Sequence, residues 1–361
     1  MHQLLTITWD MPYGLELGSF TLRYYSLLFA GGFFAGFFVI KRIFASENIP
    51  EKWLDSLVTY MVLATIIGAR LGHVFFYEWS YYKEHPGKIL AVWEGGLASH
   101  GAAVAIIVAL IIFSRKITKK NALWILDRIV IVVALAGAFI RTGNYMNSEI
   151  YGNPSNSAIE TVFLHPTKQS LLNSYGDRFT DVRFNETGAR EETDSLTYPV
   201  YNLEIDFADG TNPLNAKQFV ERYVAGLLNN QSPDNKNVIV LAETQATLTD
   251  EGMAPTVEMK VLGVPRYPTQ WIEALAYLMI FVLLFALYWR TEKKHQMGFL
   301  FGTFLVTVFG FRFFVEYLKA NQVAFEEGMA LNMGQWLSIP LVIAGLYFMF
   351  TSNKRKDDSI A

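Results

Sequence analysis

Seven apolar stretches, at roughly 19–40, 57–77, 96–114, 123–142, 269–289, 297–317 and 334–351, are each long enough to cross a hydrocarbon layer. Lipid offers no partner to a free backbone N–H or C=O, so stretches of this kind are restricted to helix. Composition agrees: 52% of the 361 residues are hydrophobic and 15% aromatic, beyond what a soluble domain of this size carries. The expected fold class is an all-α polytopic membrane protein of seven transmembrane helices carrying an α+β insert.

Basic residues follow alternate spans. Lys41 and Arg42 come after the first, and Arg115, Lys116, Lys119 and Lys120 after the third. Arg290, Lys293 and Lys294 come after the fifth, and Lys354, Arg355 and Lys356 after the seventh. Short loops rich in Lys and Arg stay in the cytoplasm, so this pattern predicts an outer N-terminus and a cytoplasmic C-terminus. The first eighteen residues lack the charged start and apolar core of a cleaved signal, and the first span is expected to be retained.

The spans fall into a block of four (1–152) and a block of three (267–361), separated by the polar insert 153–266. Within the insert, TYPVYNLEIDFADG alternates like a strand and NAKQFVERYVAGLLNN has helical spacing. NVIVLAETQATL and PTVEMKVLG read as two more strands around a turn at Asp250–Gly252. The orientation rule places this insert on the outer face. Residues 77–96, crowded with Tyr and Trp, are expected along the membrane surface.

Cysteine is absent, which excludes a disulfide, a thiol nucleophile and thiolate-bound metal. The His residues show no paired ligand spacing, so neither a metal site nor another cofactor is expected.

Charged groups inside apolar spans are costly and are usually paired, cavity-lining or functional. Arg70, His73, His100, Asp127, Arg128, Arg141, Glu149, Glu273, Arg312 and Glu316 are the candidates. Asp127 and Arg128 lie near the inner boundary, where snorkelling would satisfy them. Arg141, Glu273, Arg312, Glu316 and His100 fall in the outer half. Arg312 could simply pair with Glu316, and Arg141 with Glu149, as packing devices. Alternatively, two planar guanidinium forks beside the amides of Asn144 and Asn147 suit a phospholipid headgroup. His100 is the group whose ordinary titration range suits proton transfer near neutrality.

The stretch RTGNYMNSEIYG (141–152) is similar to the signature of the bacterial prolipoprotein diacylglyceryl transferases, with Arg141, Gly143, Asn144, Asn147, Glu149 and Gly152 in register. YYSLLFAGGF, GARLGHVFFY, VWEGGLASHGA, RYPTQWIEA, FRFFVEYLK and MGQWLSIP resemble further family segments, in order through all seven spans. The chain departs from the family pattern at Ala102, Ile140, Tyr145, Tyr267 and Val308. The insert is longer than the family's usual one.

The resemblance implies transfer of the diacylglyceryl group of phosphatidylglycerol to the lipobox cysteine of a preprolipoprotein, in the bacterial cytoplasmic (inner) membrane, with no nucleic-acid partner. It casts Arg141, Arg312 and His100 as catalytic, with Tyr25, Asn144, Asn147, Glu149, Gly152 and Glu316 binding substrate. The thiol proton could pass to His100, or arginine could lower the thiol pKa with no discrete base. The rival reading from another class is a transporter of an anionic solute. The insert is read either as a passive surface domain or as a guide for the protein substrate.

Overall fold

The computed structural model describes residues 5–18, 20–92, 95–193, 195–232, 236–241, 243–250, 254–320 and 329–355. Each apolar stretch is a helix: α1 (Tyr24–Ser46), α2 (Glu51–Phe76), α4 (Ser99–Phe113), α5 (Ala122–Met146), α9 (Thr269–Arg290), α10 (Phe299–Val315) and α11 (Met333–Thr351). All seven are long and apolar enough to cross a membrane, the α4 span including a π turn at Ser114–Thr118. Phe34, Val104, Met279 and Phe350 remain exposed on them, as apolar side chains facing lipid would be. The chain is a multi-pass membrane protein with an added sheet region.

The chain divides into two compact units, one of Met1–Phe29, Ile140–Leu275 and Arg312–Trp336, the other of Ala30–Phe139, Ala276–Phe311 and Leu337–Ala361.

The second unit is helical, with Ile43, Phe113, Trp124, Ile131 and Leu284 at the centre of its core. Helices α2 and α4 meet through small residues, as helices without a hydrophobic driving force between them must. A Cβ on Gly101 would lie 2.3 Å from the Gly68 carbonyl oxygen, so no larger residue fits this crossing. Arg70 is buried and donates to the carbonyl oxygens of Lys88, Ile89, Gly95 and Gly96, with its guanidinium over the Tyr82 ring. It thereby ties residues 88–89 and 95–96 to α2. The segment between α2 and α4 contains α3 (Trp79–Glu84) and a 3-10 turn at Pro86–Leu90, while 93–94 lie outside the described residues.

Asp127 and Arg128 do not snorkel: both are about 1% exposed. Asp127 accepts from the backbone N–H of Gly298 at 2.6 Å and of Phe301 at 2.8 Å, which caps the start of α10. Arg128 meets Glu47 through Nε–Oε2 at 2.9 Å and Nη2–Oε1 at 2.8 Å, donates to the Trp124 carbonyl and stacks on its ring. Tyr288 donates its hydroxyl to the same carboxylate. A carboxylate and a helix end within reach supply what water would otherwise supply.

The first unit holds the insert. Its sheet runs β5 (Phe179–Thr193), β6 (Leu196–Phe207), β9 (Thr256–Gly263), β7 (Val238–Ile239), with β8 (Thr247–Asp250) also on β9, and every pairing is antiparallel. The alternation in β6 turns Leu203, Ile205 and Phe207 inward. They pack with Val220, Val224 and Leu228, from the helical run of α7 (Pro213–Phe219), a π turn and α8 (Ala225–Asn229). The single strand expected over 237–248 is instead the two short strands β7 and β8. The turn expected at Asp250–Gly252 falls on 251–253, outside the described residues.

Elements the pattern did not announce are β5, α6 (His165–Tyr175), the hairpin of β2 (Gly14–Leu17) with β3 (Phe20–Arg23), and a parallel pair of β1 (Leu5–Trp9) with β4 (Ile159–Phe163). Glu160 anchors the parallel pair from within, accepting from Thr6 and from Arg190, each at 2.7 Å.

On the β5–β6 face, Arg183 bridges Asp181 at 2.8 Å and Asp206 at 2.6 Å. The hydrogen bond from Arg183 holds the Asp206 carboxyl below its ordinary 3.8. A carboxyl depressed by folding adds stability above the unfolded value, which is lost as pH falls through the folded value. Hydrogen exchange of the β5–β6 amides should therefore protect wild type more than Arg183→Met at pH 7, and the difference should close only below 3.8. A gap that stayed open in stronger acid would show that the carboxylates contribute nothing.

Candidate functional site

Helix α5 is apolar for most of its length and ends in polar residues, and the chain leaves it by an unusual turn. Ser148 (φ 48°) and Ile150 (φ 59°) both sit in the left-handed region, which for a β-branched residue costs of order 1–3 kcal/mol. Hydrogen bonds hold the turn closed. Glu149 N–H donates to the Asn144 carbonyl at 3.0 Å, and Gln270 Nε2 donates to the Glu149 carbonyl at 2.8 Å. Thr269 Oγ1 donates to the Ile150 carbonyl at 3.3 Å. The turn folds the Glu149 side chain back onto α5, where its Oε1 accepts from Asn144 Nδ2 at 2.7 Å. The Asn144 Oδ1 accepts from Arg141 Nη1 at 3.1 Å, so the amide relays between cation and carboxylate.

The direct ionic partner of Arg141 is Glu273, on the first turns of α9, at 3.3 Å, and not Glu149. Glu273 is fully buried, and its other oxygen accepts from Lys319 Nζ at 2.9 Å. Lys319, itself only 3% exposed along its side chain, also donates to Glu316 Oε1 at 3.1 Å. The same oxygen lies 3.3 Å from Arg312 Nε. Five side chains thus alternate in sign: Arg141, Glu273, Lys319, Glu316, Arg312. An arginine stands at each end.

The turn before α11 closes around Glu316. Asn332 Nδ2 donates to its Oε2 at 3.2 Å. Gln335 donates from Nε2 to the Phe313 carbonyl and accepts from Asn332 N–H, locking that turn to the end of α10. A Cβ on Gly334 would fall 2.7 Å from the Glu316 carboxyl carbon, so the absence of a side chain there admits the carboxylate.

Most of the site residues read from the sequence are together in this unit. Tyr25 lies over Gly143, where a Cβ would come within 2.8 Å of its ring. The Asn147 side-chain oxygen is buried with no hydrogen-bond partner among the described residues, and its N–H continues the helix to the Gly143 carbonyl. Gly152 pairs with Lys319 in an antiparallel bridge, and an added Cβ would meet the Tyr267 carbonyl oxygen at 2.4 Å. Close backbone approach explains a glycine there. His100 belongs to the second unit, at the start of α4, exposed and edge-on to Phe76 at 5.1 Å.

Sequence reasoning passed over Lys319, Gln270, Asn332 and Gln335. For Lys319 a signal existed: Arg312, Glu316 and Lys319 are spaced i, i+4, i+7, one helical face in an otherwise apolar span. The amides gave none, since their value lies in partners far along the chain.

Two guanidiniums end this chain, and the carboxylates that face them are both held by one buried lysine. Such an array can bind an anion and neutralise charge that grows on it, without reorganising at the moment of reaction.

The sequence profile of the prolipoprotein diacylglyceryl transferase family matches residues 12–351. The phosphatidylglycerol--prolipoprotein diacylglyceryl transferase of Tolumonas auensis is 34% identical over 345 residues, covering 96% of each chain. Enzymes of the same name from Chloroherpeton thalassium (31% identical, 97% of this chain and 95% of theirs) and Porphyromonas gingivalis (32%, 96% and 95%) align equally fully.

Proposed function

The chain belongs to the prolipoprotein diacylglyceryl transferase family, and from that premise we propose that it transfers the diacylglyceryl group of phosphatidylglycerol to the lipobox cysteine of preprolipoproteins. The observation that carries the reading to these residues is the pair of arginines ending the buried chain of alternating charge. In the reaction, the cysteine sulfur bonds to the glyceryl carbon that carries the phosphate ester. The carbon–oxygen bond breaks, its electron pair leaves on the phosphate, and glycerol phosphate departs. Arg141 and Arg312 bind that phosphate and take up its developing charge. Asn144, Glu149 and Glu316 orient the arginines, Asn147 offers its unpartnered oxygen to the headgroup, and Tyr25 and Gly152 shape the lipid-facing wall.

The thiolate is the reactive form of a thiol whose ordinary pKa is near 8.5, so a proton must leave it. His100 receives it. The enzyme supplies no sulfur of its own, which its lack of cysteine permits. The placement that goes with this reaction is the bacterial inner membrane, N-terminus outside and C-terminus in the cytoplasm, with 153–266 as an insert on the outer face.

The test combines purified protein, phosphatidylglycerol vesicles and a synthetic lipobox peptide, read by mass spectrometry. A diacylglyceryl adduct on the peptide cysteine is expected, and its absence would refute the assignment. His100→Gln should lower turnover by about 100-fold, within the range of general-base contributions. Near-normal turnover would remove His100 from proton transfer and leave the arginines as the thiol's activators.

A further inference from the structure

We propose that Lys319 is a positioning residue for the transfer reaction, holding Arg141 and Arg312 in one electrostatic assembly through the carboxylates it binds. The inference rests on the transferase reading above and concerns a residue that the reaction itself does not call for.

Three observations carry it. First, Lys319 is almost wholly buried, and its Nζ is committed to two carboxylates, Glu273 at 2.9 Å and Glu316 at 3.1 Å. Second, each of those carboxylates is the ionic partner of one arginine and not the other: Glu273 of Arg141, Glu316 of Arg312, both at 3.3 Å. Third, the backbone of Lys319 is tied to the signature turn by its bridge to Gly152, with Asn153 N–H donating to the Leu318 carbonyl at 2.7 Å. Lys319 therefore joins α9 to the end of α10 at its Nζ, and the turn after α5 through its backbone.

Charge arithmetic gives this its consequence. Three cations and two carboxylates leave the five-member chain with one net positive charge. Without Lys319 the chain is neutral, and two carboxylates share two arginines. Each arginine is then drawn further onto its own carboxylate and offers less to an incoming phosphate. Lys319 draws the carboxylates towards itself and so weakens the hold of each on its own arginine. It reaches no reacting atom; it acts through Glu273 and Glu316.

Lys319→Met should lower kcat by about 30–100-fold while KM for phosphatidylglycerol moves less than about 3-fold, the pattern of an interaction expressed in the transition state. Lys319→Arg retains the charge and should recover most of the rate. The decisive variant is Lys319→Met combined with Glu273→Gln, which removes one cation and one anion together and restores the net charge of the chain. It should be about 10-fold faster than Lys319→Met alone, whereas two independent structural lesions would multiply their losses. The double variant also removes the buried carboxylate that loses its lysine, so it stays informative if Lys319→Met folds poorly.

A Lys319→Met enzyme with wild-type kcat, or a double variant slower than the single, would overturn the proposal. Wild-type protein run alongside separates the two levels. An adduct from wild type with no effect of Lys319 refutes this inference alone, and no adduct from wild type refutes the transferase reading beneath it.

Discussion

Arg141→Ala is expected to reduce diacylglyceryl transfer by about 100-fold or more, the loss seen when one preorganised donor to a developing anion is removed. Arg141 is 14% exposed along its side chain, with Nη1 on Asn144 and Nε facing Glu273. Its position is thus set from two sides before any substrate arrives. Arg141→Lys should recover little, because a compact ammonium lacks the rigid planar fork that spreads its donors over amide, carboxylate and phosphate. Arg312→Ala should lose a similar factor. Initial rates of adduct formation, on protein shown to be folded, decide the matter. Wild-type rates in either alanine variant would remove that arginine from phosphate binding.

The largest effect on stability is expected elsewhere, at Glu47. Its carboxylate is the bidentate partner of Arg128 and accepts from Tyr288, and both charged side chains are at most 2% exposed. Glu47→Ala leaves a buried guanidinium without its bidentate carboxylate, still against the Trp124 carbonyl and ring. Breaking a buried pair in this way costs about 3–5 kcal/mol. The unfolding midpoint in a denaturing-detergent titration should fall accordingly. Replacing both partners, Glu47→Leu with Arg128→Met, should recover most of the loss, since the penalty belongs to the unpaired charge and not to the missing bridge. A Glu47→Ala protein as stable as wild type would mean that water reaches Arg128.

Both expectations turn on partners that are distant in sequence, and this marks what the sequence made legible. The seven helices were readable because apolar length is a local property, and each appears within a few residues of its expected place. Strand β6 and the helical run 213–229 were readable for the same reason. Strand β5 was not: FTDVRFNETGAREET is polar and reads as loop, and it is a strand because β6 pairs with it across a bulge near Glu186 and Arg190. At the site, chain proximity suggested Glu149 as the counter-charge of Arg141. The structure gives that place to Glu273 and keeps Glu149 one amide away. Arg128 was read as snorkelling because it lies near the inner boundary; its partner Glu47 lies 81 positions earlier. Pattern reports which residues are out of place in an apolar helix, while topology decides whom they meet.

The parallel pairing of β1 with β4 has a consequence in time. Leu5 leaves the ribosome 154 residues ahead of its ladder partner Ile159. At about 5–20 residues per second, the leading strand waits roughly 8–30 s for the backbone that will complete it. Four apolar helices are synthesised in that interval, so the N-terminal strand cannot be an early nucleus of assembly. It is instead a late clasp, fastened once the first helical block has been made.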